Sequence, residues 1–133
     1  MERIKCITFD KAAQDNLPQH IKDKMKADKI KARKEMDSKG CALFDAMGKF
    51  ATEKFPDVGS IEHLKKLKHE ADEAIAEPQN LVEYADCLLA LFGAVYKAGF
   101  TYEDLLKASE DKLEIVKKRN WKRLSDGTYQ HCP

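Results

Sequence analysis

Four acidic residues near the middle of this chain have the spacing of a metal site. Glu70 and Glu73 lie three apart, and Glu83 and Asp86 repeat that interval beyond the short segment Glu77-Pro78-Gln79-Asn80. Residues three apart on a helix are neighbours on its surface. The proline-containing connection predicts two helices folded back antiparallel, so that the two pairs face each other. Four carboxylates so placed repel unless a cation neutralises them, and hard oxygen donors suit Mg2+ or Mn2+ rather than zinc. A single ExxE is commonplace on a solvated helix. Asp86 strengthens the case, because it adjoins the uncharged run Cys87 to Tyr96, where an unpartnered carboxylate is costly. Glu83 and Asp86 share a helical face with Ala90, Gly93 and Ala94, small residues that admit either a ligand or another helix.

Cations follow. At 100° per residue, Lys112 and Arg119 fall on the same stripe as Leu105, Ile115 and Val116, while Lys107, Lys117 and Lys118 fall on the solvated side. A cation on an apolar face either extends past it to water or meets an anion inside. A triphosphate bridged to the carboxylates by metal would be such an anion. His63 lies toward the carboxylate side of its helix and His131 near the end of the chain; either touches substrate or serves as a surface or capping group. Trp121 either stacks on a base or packs against the end of a bundle. The sequence holds no Walker loop, GxSxG or Rossmann glycine pattern.

The elements that must position these residues read as helices. Residues 18 to about 36 are lysine-rich and helix-favouring, with sparse apolar contacts at Ile21, Met25, Ile30 and Met36. Beyond Gly40, Cys41, Phe44, Met47 and Phe50 recur every third residue, the pattern of a buried helix face. Pro56, Asp57 and Gly59 mark a break, and Ser60 is the expected N-cap of a helix to about Ala76. Its apolar side would carry Ile61, Leu64, Leu67, Ala71, Ala74 and Ile75. The next helix, about Leu81 to Ala98, is uncharged all round from Cys87 to Tyr96, which predicts a central position. Gly99 suits the residue after its end. Thr101 caps a last helix, with Asp104 in the capping-box position, that runs to about Lys122. Asp126-Gly127 turns the chain into a short tail, and residues 2–9 have loosely strand-like content.

The 133 residues suit one domain: an N-terminal arm and helix (1–40), a helical core (41–124) and a tail (125–133). A net charge of +1 gives no electrostatic case for nucleic acid or membrane, and no apolar stretch reaches the roughly 20 residues that span a bilayer. The four isolated cysteines match no zinc spacing. With no signal sequence recognisable, a reducing cytoplasm is expected. So small a bundle can hardly cover its apolar helix alone, which predicts an oligomer.

The order Glu70-x-x-Glu73, Glu83-x-x-Asp86, then Lys112 and Arg119 resembles the MazG-like all-α nucleoside triphosphate pyrophosphohydrolases. His63-Leu64, the HEADEAI run from His69, EYAD from Glu83, Ala98-Gly99, Arg119-x-Trp121, Asp126-Gly127 and His131 are similar to the dATP/dGTP pyrophosphohydrolase branch, to which phage MazZ proteins belong. The resemblance covers about half the chain. It implies an all-α, MazG-like helical bundle assembled as a homodimer or homotetramer, and hydrolysis of dGTP or dATP to monophosphate and pyrophosphate. It further implies Mg2+, or Mn2+, on Glu70, Glu73, Glu83 and Asp86, catalytic roles for Glu70, Glu73, Lys112 and Arg119, and phosphate contacts from Lys112 and Arg119. His63, Trp121 and His131 would lie near the substrate, in the cytoplasm of a host cell for a phage protein. Two departures stand out: Val116 occupies a position where many relatives carry Asn, and only nine residues separate Glu73 from Glu83. The residues by themselves leave open a non-catalytic helical interaction module, and a nucleotide-binding sensor on the same fold.

Overall fold

The computed structural model describes residues 16–132, so the strand-like residues 2–9 lie outside the described residues. The described residues form four helices and one hairpin: α1 (Gln19–Lys54), α2 (Ser60–Ala76), α3 (Leu81–Lys97), α4 (Tyr102–Lys118), β1 (Trp121–Arg123) and β2 (Tyr129–His131). They fall into two compact units, one ending at Lys39 and one beginning at Gly40. In the first, α1 is solvated, with Ile30 and Met36 exposed.

α1 runs unbroken through Gly40. A Cβ there would collide with the hydroxyl of Tyr102, so glycine serves close packing. Gly48 behaves alike, since a Cβ would overlap the ring of Tyr96. The face that α1 buries is Phe44, Gly48 and Ala51, a spacing of four and three, with Cys41 and Met47 half-buried. Phe50, expected in that row, is exposed and meets Phe55 edge-on instead.

Phe44 is 1% exposed and centres the core of the second unit. Its ring lies 5.3 Å from Phe92, 5.8 Å from Tyr96 and 6.0 Å from Tyr102, distances at which aromatic rings attract beyond their area burial. One side chain thereby ties α1 to α3 and α4. The uncharged run of α3 earns its central place through Ala90, Phe92, Gly93 and Ala94, all buried.

The helix ends follow local rules. Asn80 caps α3 by accepting the Val82 N–H at 3.2 Å. Gly99, at φ +90°, supplies the left-handed residue that ends α3, a conformation costly for any residue with a Cβ. Thr101 and Asp104 form the expected reciprocal cap, at 3.1 and 3.0 Å. At α2 the cap is Gly59 rather than Ser60, and the Glu62 carboxylate accepts the Gly59 N–H at 3.0 Å.

The last helix is shorter than its pattern suggests, and the mostly helical fold ends in a short hairpin. α4 stops at Lys118, and Arg119 is already extended at ψ 151°. The expected tail is the second strand of an antiparallel hairpin, with Trp121 opposite His131, Lys122 opposite Gln130 and Arg123 opposite Tyr129. Asp126 accepts from the Thr128 N–H at 3.0 Å, and Gly127 takes φ +88°, the turn chemistry of a short hairpin loop.

Candidate metal and nucleotide site

α2 and α3, joined by Glu77–Asn80, pack antiparallel. At one end His63 lies against Gly93; at the other, Glu70, Glu73 and Glu83 converge, with one carboxylate oxygen from each inside a 4.8 Å group. The face that α2 turns inward is partly polar. His63, Glu70 and Ala74 are buried, whereas Ile61, Leu64 and Ile75 of the expected apolar side are 64%, 46% and 76% exposed.

Each carboxylate has a distinct setting. Glu70 is 5% exposed and ion-paired to Lys66, one turn earlier on α2. That bond holds its carboxyl below the usual range against the opposing effect of burial. Glu73 is exposed, and its carboxyl is pushed up, first by its hydrogen bond with Glu70 and by that group's charge, and more weakly by Glu83. The pair therefore retains a proton on Glu73 more readily than an isolated glutamate would. Glu83 is half-buried and accepts from the Asn80 amide at 3.2 Å, while the same amide donates to Glu77 at 3.0 Å. Asn80 thus caps a helix through its oxygen and orients a carboxylate through its nitrogen. Asp86, one turn further along α3, is half-buried and falls outside the 4.8 Å group, yet its charge acts on Lys66.

This donor set fits a hard divalent cation. Three carboxylates, one of them nearly sealed from water, form a concentration of negative charge that Lys66 only partly offsets, and oxygen donors are those that Mg2+ and Mn2+ prefer.

The expected cations are placed differently. Lys112 is exposed on α4, and Ile115, from the same stripe, is 48% exposed. α4 buries none of its residues fully, so the periodic stripe marks a lightly covered face. Arg119 is half-buried just beyond the end of α4. Trp121 donates its indole N–H to the Val116 carbonyl at 3.1 Å and meets the His131 ring edge-on at 6.2 Å. The hairpin thus joins two of the singled-out aromatic residues, and the indole helps satisfy the carbonyls at the end of α4.

His63 is neither a surface nor a capping residue. It is 6% exposed, its Nε2 is buried without a hydrogen-bond partner, and a Cβ on Gly93 would come 3.0 Å from its Nδ1. Burial, and then Lys97, hold the imidazole below the ordinary histidine value of 6.5, against a weaker pull from Glu62. Below about pH 6.5 the unfolded chain takes up a proton here and the folded chain does not, so stability falls as the pH drops through that value. In metal-free buffer the melting temperature should therefore decline from pH 7.5 to 5.5 more steeply for the wild type than for His63→Leu. Parallel pH profiles would contradict this.

Two residues of the site escape a reading of motifs, Lys66 and Asn80. Lys66 stands four residues before Glu70 on one helix, the spacing of an ion pair. Asn80 stands where an N-cap belongs.

The dATP/dGTP pyrophosphohydrolase family model matches residues 43–132. A dATP/dGTP diphosphohydrolase of Salmonella phage PMBT28 is 36% identical over 83 residues, which are 62% of this chain and 28% of that protein. The match thus spans little more than a quarter of that curated relative. Among solved structures, a cyanophage S-2L MazG-like pyrophosphohydrolase, bound to dGDP and three catalytic Mn2+ ions per active site, aligns with a TM-score of 0.60. It is 26% identical, and the alignment covers 71% of this chain and 97% of that one.

Proposed function

We propose a function from one premise: this chain belongs to the dATP/dGTP pyrophosphohydrolase family. It hydrolyses dGTP and dATP to the monophosphate and pyrophosphate with the help of divalent cations, Mg2+ or Mn2+. The observation that carries this reading is the convergence of Glu70, Glu73 and Glu83 on one helical hairpin. The Mn2+ and dGDP of the cyanophage relative support the same reading.

Divalent cations neutralise phosphate oxygens and make water a better nucleophile at neutral pH. Glu70, Glu73 and Glu83 would hold them, and Asp86 would join as α2 and α3 adjust. Asn80 keeps Glu83 turned toward the others. Glu70 is our choice to orient the attacking water, which joins phosphorus as the bridge to pyrophosphate breaks. Arg119, half-buried, and Lys112, exposed, would contact phosphates and stabilise the leaving pyrophosphate. Trp121 and His131, held together in the hairpin, would border the base. His63, buried against Gly93, supports the hairpin at the end away from the carboxylates.

A panel of nucleoside triphosphates with Mg2+, Mn2+ or chelator tests the reaction. Pyrophosphate should appear from dGTP and dATP and vanish with chelator. Release of orthophosphate, or a preference for pyrimidines, would overturn the reading.

Assembly as a homodimer or homotetramer belongs to the same proposal, and the exposed Ile61, Leu64, Ile75, Leu81, Val82 and Leu88 support it. Light scattering at micromolar concentration should give at least twice the chain mass of 15.2 kDa; a monomer mass would refute it. No helix of the described residues is long and apolar enough to cross a membrane. A phage relative supports action on the nucleotide pool of a host cytoplasm, with no nucleic-acid partner required.

A further inference from the structure

We propose that Lys66 is the resident counter-ion of the acidic hairpin and yields that place to a divalent cation, so that it sets how tightly the metal is held. The inference rests on the metal-site reading above. Glu70 is the most buried carboxylate of the group, and the atom it pairs with is the Lys66 Nζ. Lys66 stands one turn before Glu70 and two before Glu73 on the same face of α2, and Glu73 and Asp86 act on its ammonium as Glu70 does. One ammonium, paired to Glu70, is therefore also acted on by the charges of Glu73 on its own helix and Asp86 on the next.

An ammonium and a divalent cation cannot both take the same Glu70 oxygen, because like charges at contact repel strongly wherever water is scarce. The way out is open. The Lys66 side chain is 61% exposed, against 7% for that of Glu70, so its flexible stem can swing the charge into solvent without repacking the hairpin. In the metal-free protein Lys66 relieves the repulsion among the carboxylates. When metal arrives, breaking that ion pair subtracts from the binding energy. Lys66 thus offsets part of the repulsion among the carboxylates without metal and makes the metal exchangeable.

The test is Mn2+ titration by calorimetry on full-length wild type, Lys66→Met and Lys66→Arg without nucleotide, with helicity checked by circular dichroism. Lys66→Met should bind Mn2+ about tenfold more tightly than wild type, the scale of one partly solvated charge. Lys66→Arg, which keeps the charge, should stay within about threefold of wild type on the same reasoning. Equal or weaker binding by Lys66→Met overturns the proposal, as does equal tightening in Lys66→Arg. A wild type that takes up no Mn2+ overturns the metal-site reading itself, and Lys66's role with it.

Discussion

Glu70→Gln is expected to lower kcat/KM for dGTP with Mg2+ by about a thousandfold or more, which corresponds to roughly 4 kcal/mol of transition-state stabilisation. The substitution keeps the size and shape of the side chain. It removes the charge from the one carboxylate that is both nearly sealed from water and hydrogen-bonded to a second acid, Glu73. A neutral amide cannot hold a divalent cation in its place, and the loss is felt fully where water is excluded. Folding should hardly suffer. One charge fewer relieves Glu73, whose carboxyl should return toward the ordinary range, and helicity and melting temperature in chelator should stay close to wild type. Initial rates of pyrophosphate release over a range of dGTP, alongside circular dichroism, decide the matter. Activity within tenfold of wild type, with Mg2+ present, would remove Glu70 from the site.

Phe44→Ala should cost about 3–5 kcal/mol of stability, a large part of what a domain of this size possesses. The side chain is almost wholly buried and touches aromatic rings on α3 and α4. Deleting it loses those contacts and leaves a cavity between three helices that none of them can close alone. Phe50, six residues along the same helix, provides the comparison. It is 50% exposed, and Phe50→Ala should cost less than about 1.5 kcal/mol. Urea unfolding of both variants in metal-free buffer measures the difference. Equal losses at the two positions would contradict the placement of the core.

Much of the fold and part of the site were legible in the sequence. The limits of α2 and α3, the reciprocal cap of Thr101 and Asp104, the glycine that ends α3 and the central place of the uncharged helix all follow from residues within a turn or two of one another. Hydrogen bonding at helix ends and a 3.6-residue period are local physics, so local sequence expresses them. The acidic spacing belongs to the same class. Two pairs at an interval of three on a helical hairpin can converge only near its turn, and the structure brings Glu70, Glu73 and Glu83 together there.

What the tertiary structure decided was which face turns inward, and what each glycine is for. Periodicity in α2 favours burying Ile61, Leu64 and Ile75, but the protein buries His63 and Glu70, because α3 offers Gly93 opposite the imidazole. Gly40 gives no local hint of its use and serves as the seat of a tyrosine 62 residues away. The stripe that holds Lys112 is real as a pattern, but α4 covers little of the core, so the cation reaches water. The hairpin that joins Trp121 to His131 depends on pairing across a turn, which neither short strand advertises by itself. Burial is a property of two surfaces that meet, and one segment of sequence describes only one of them.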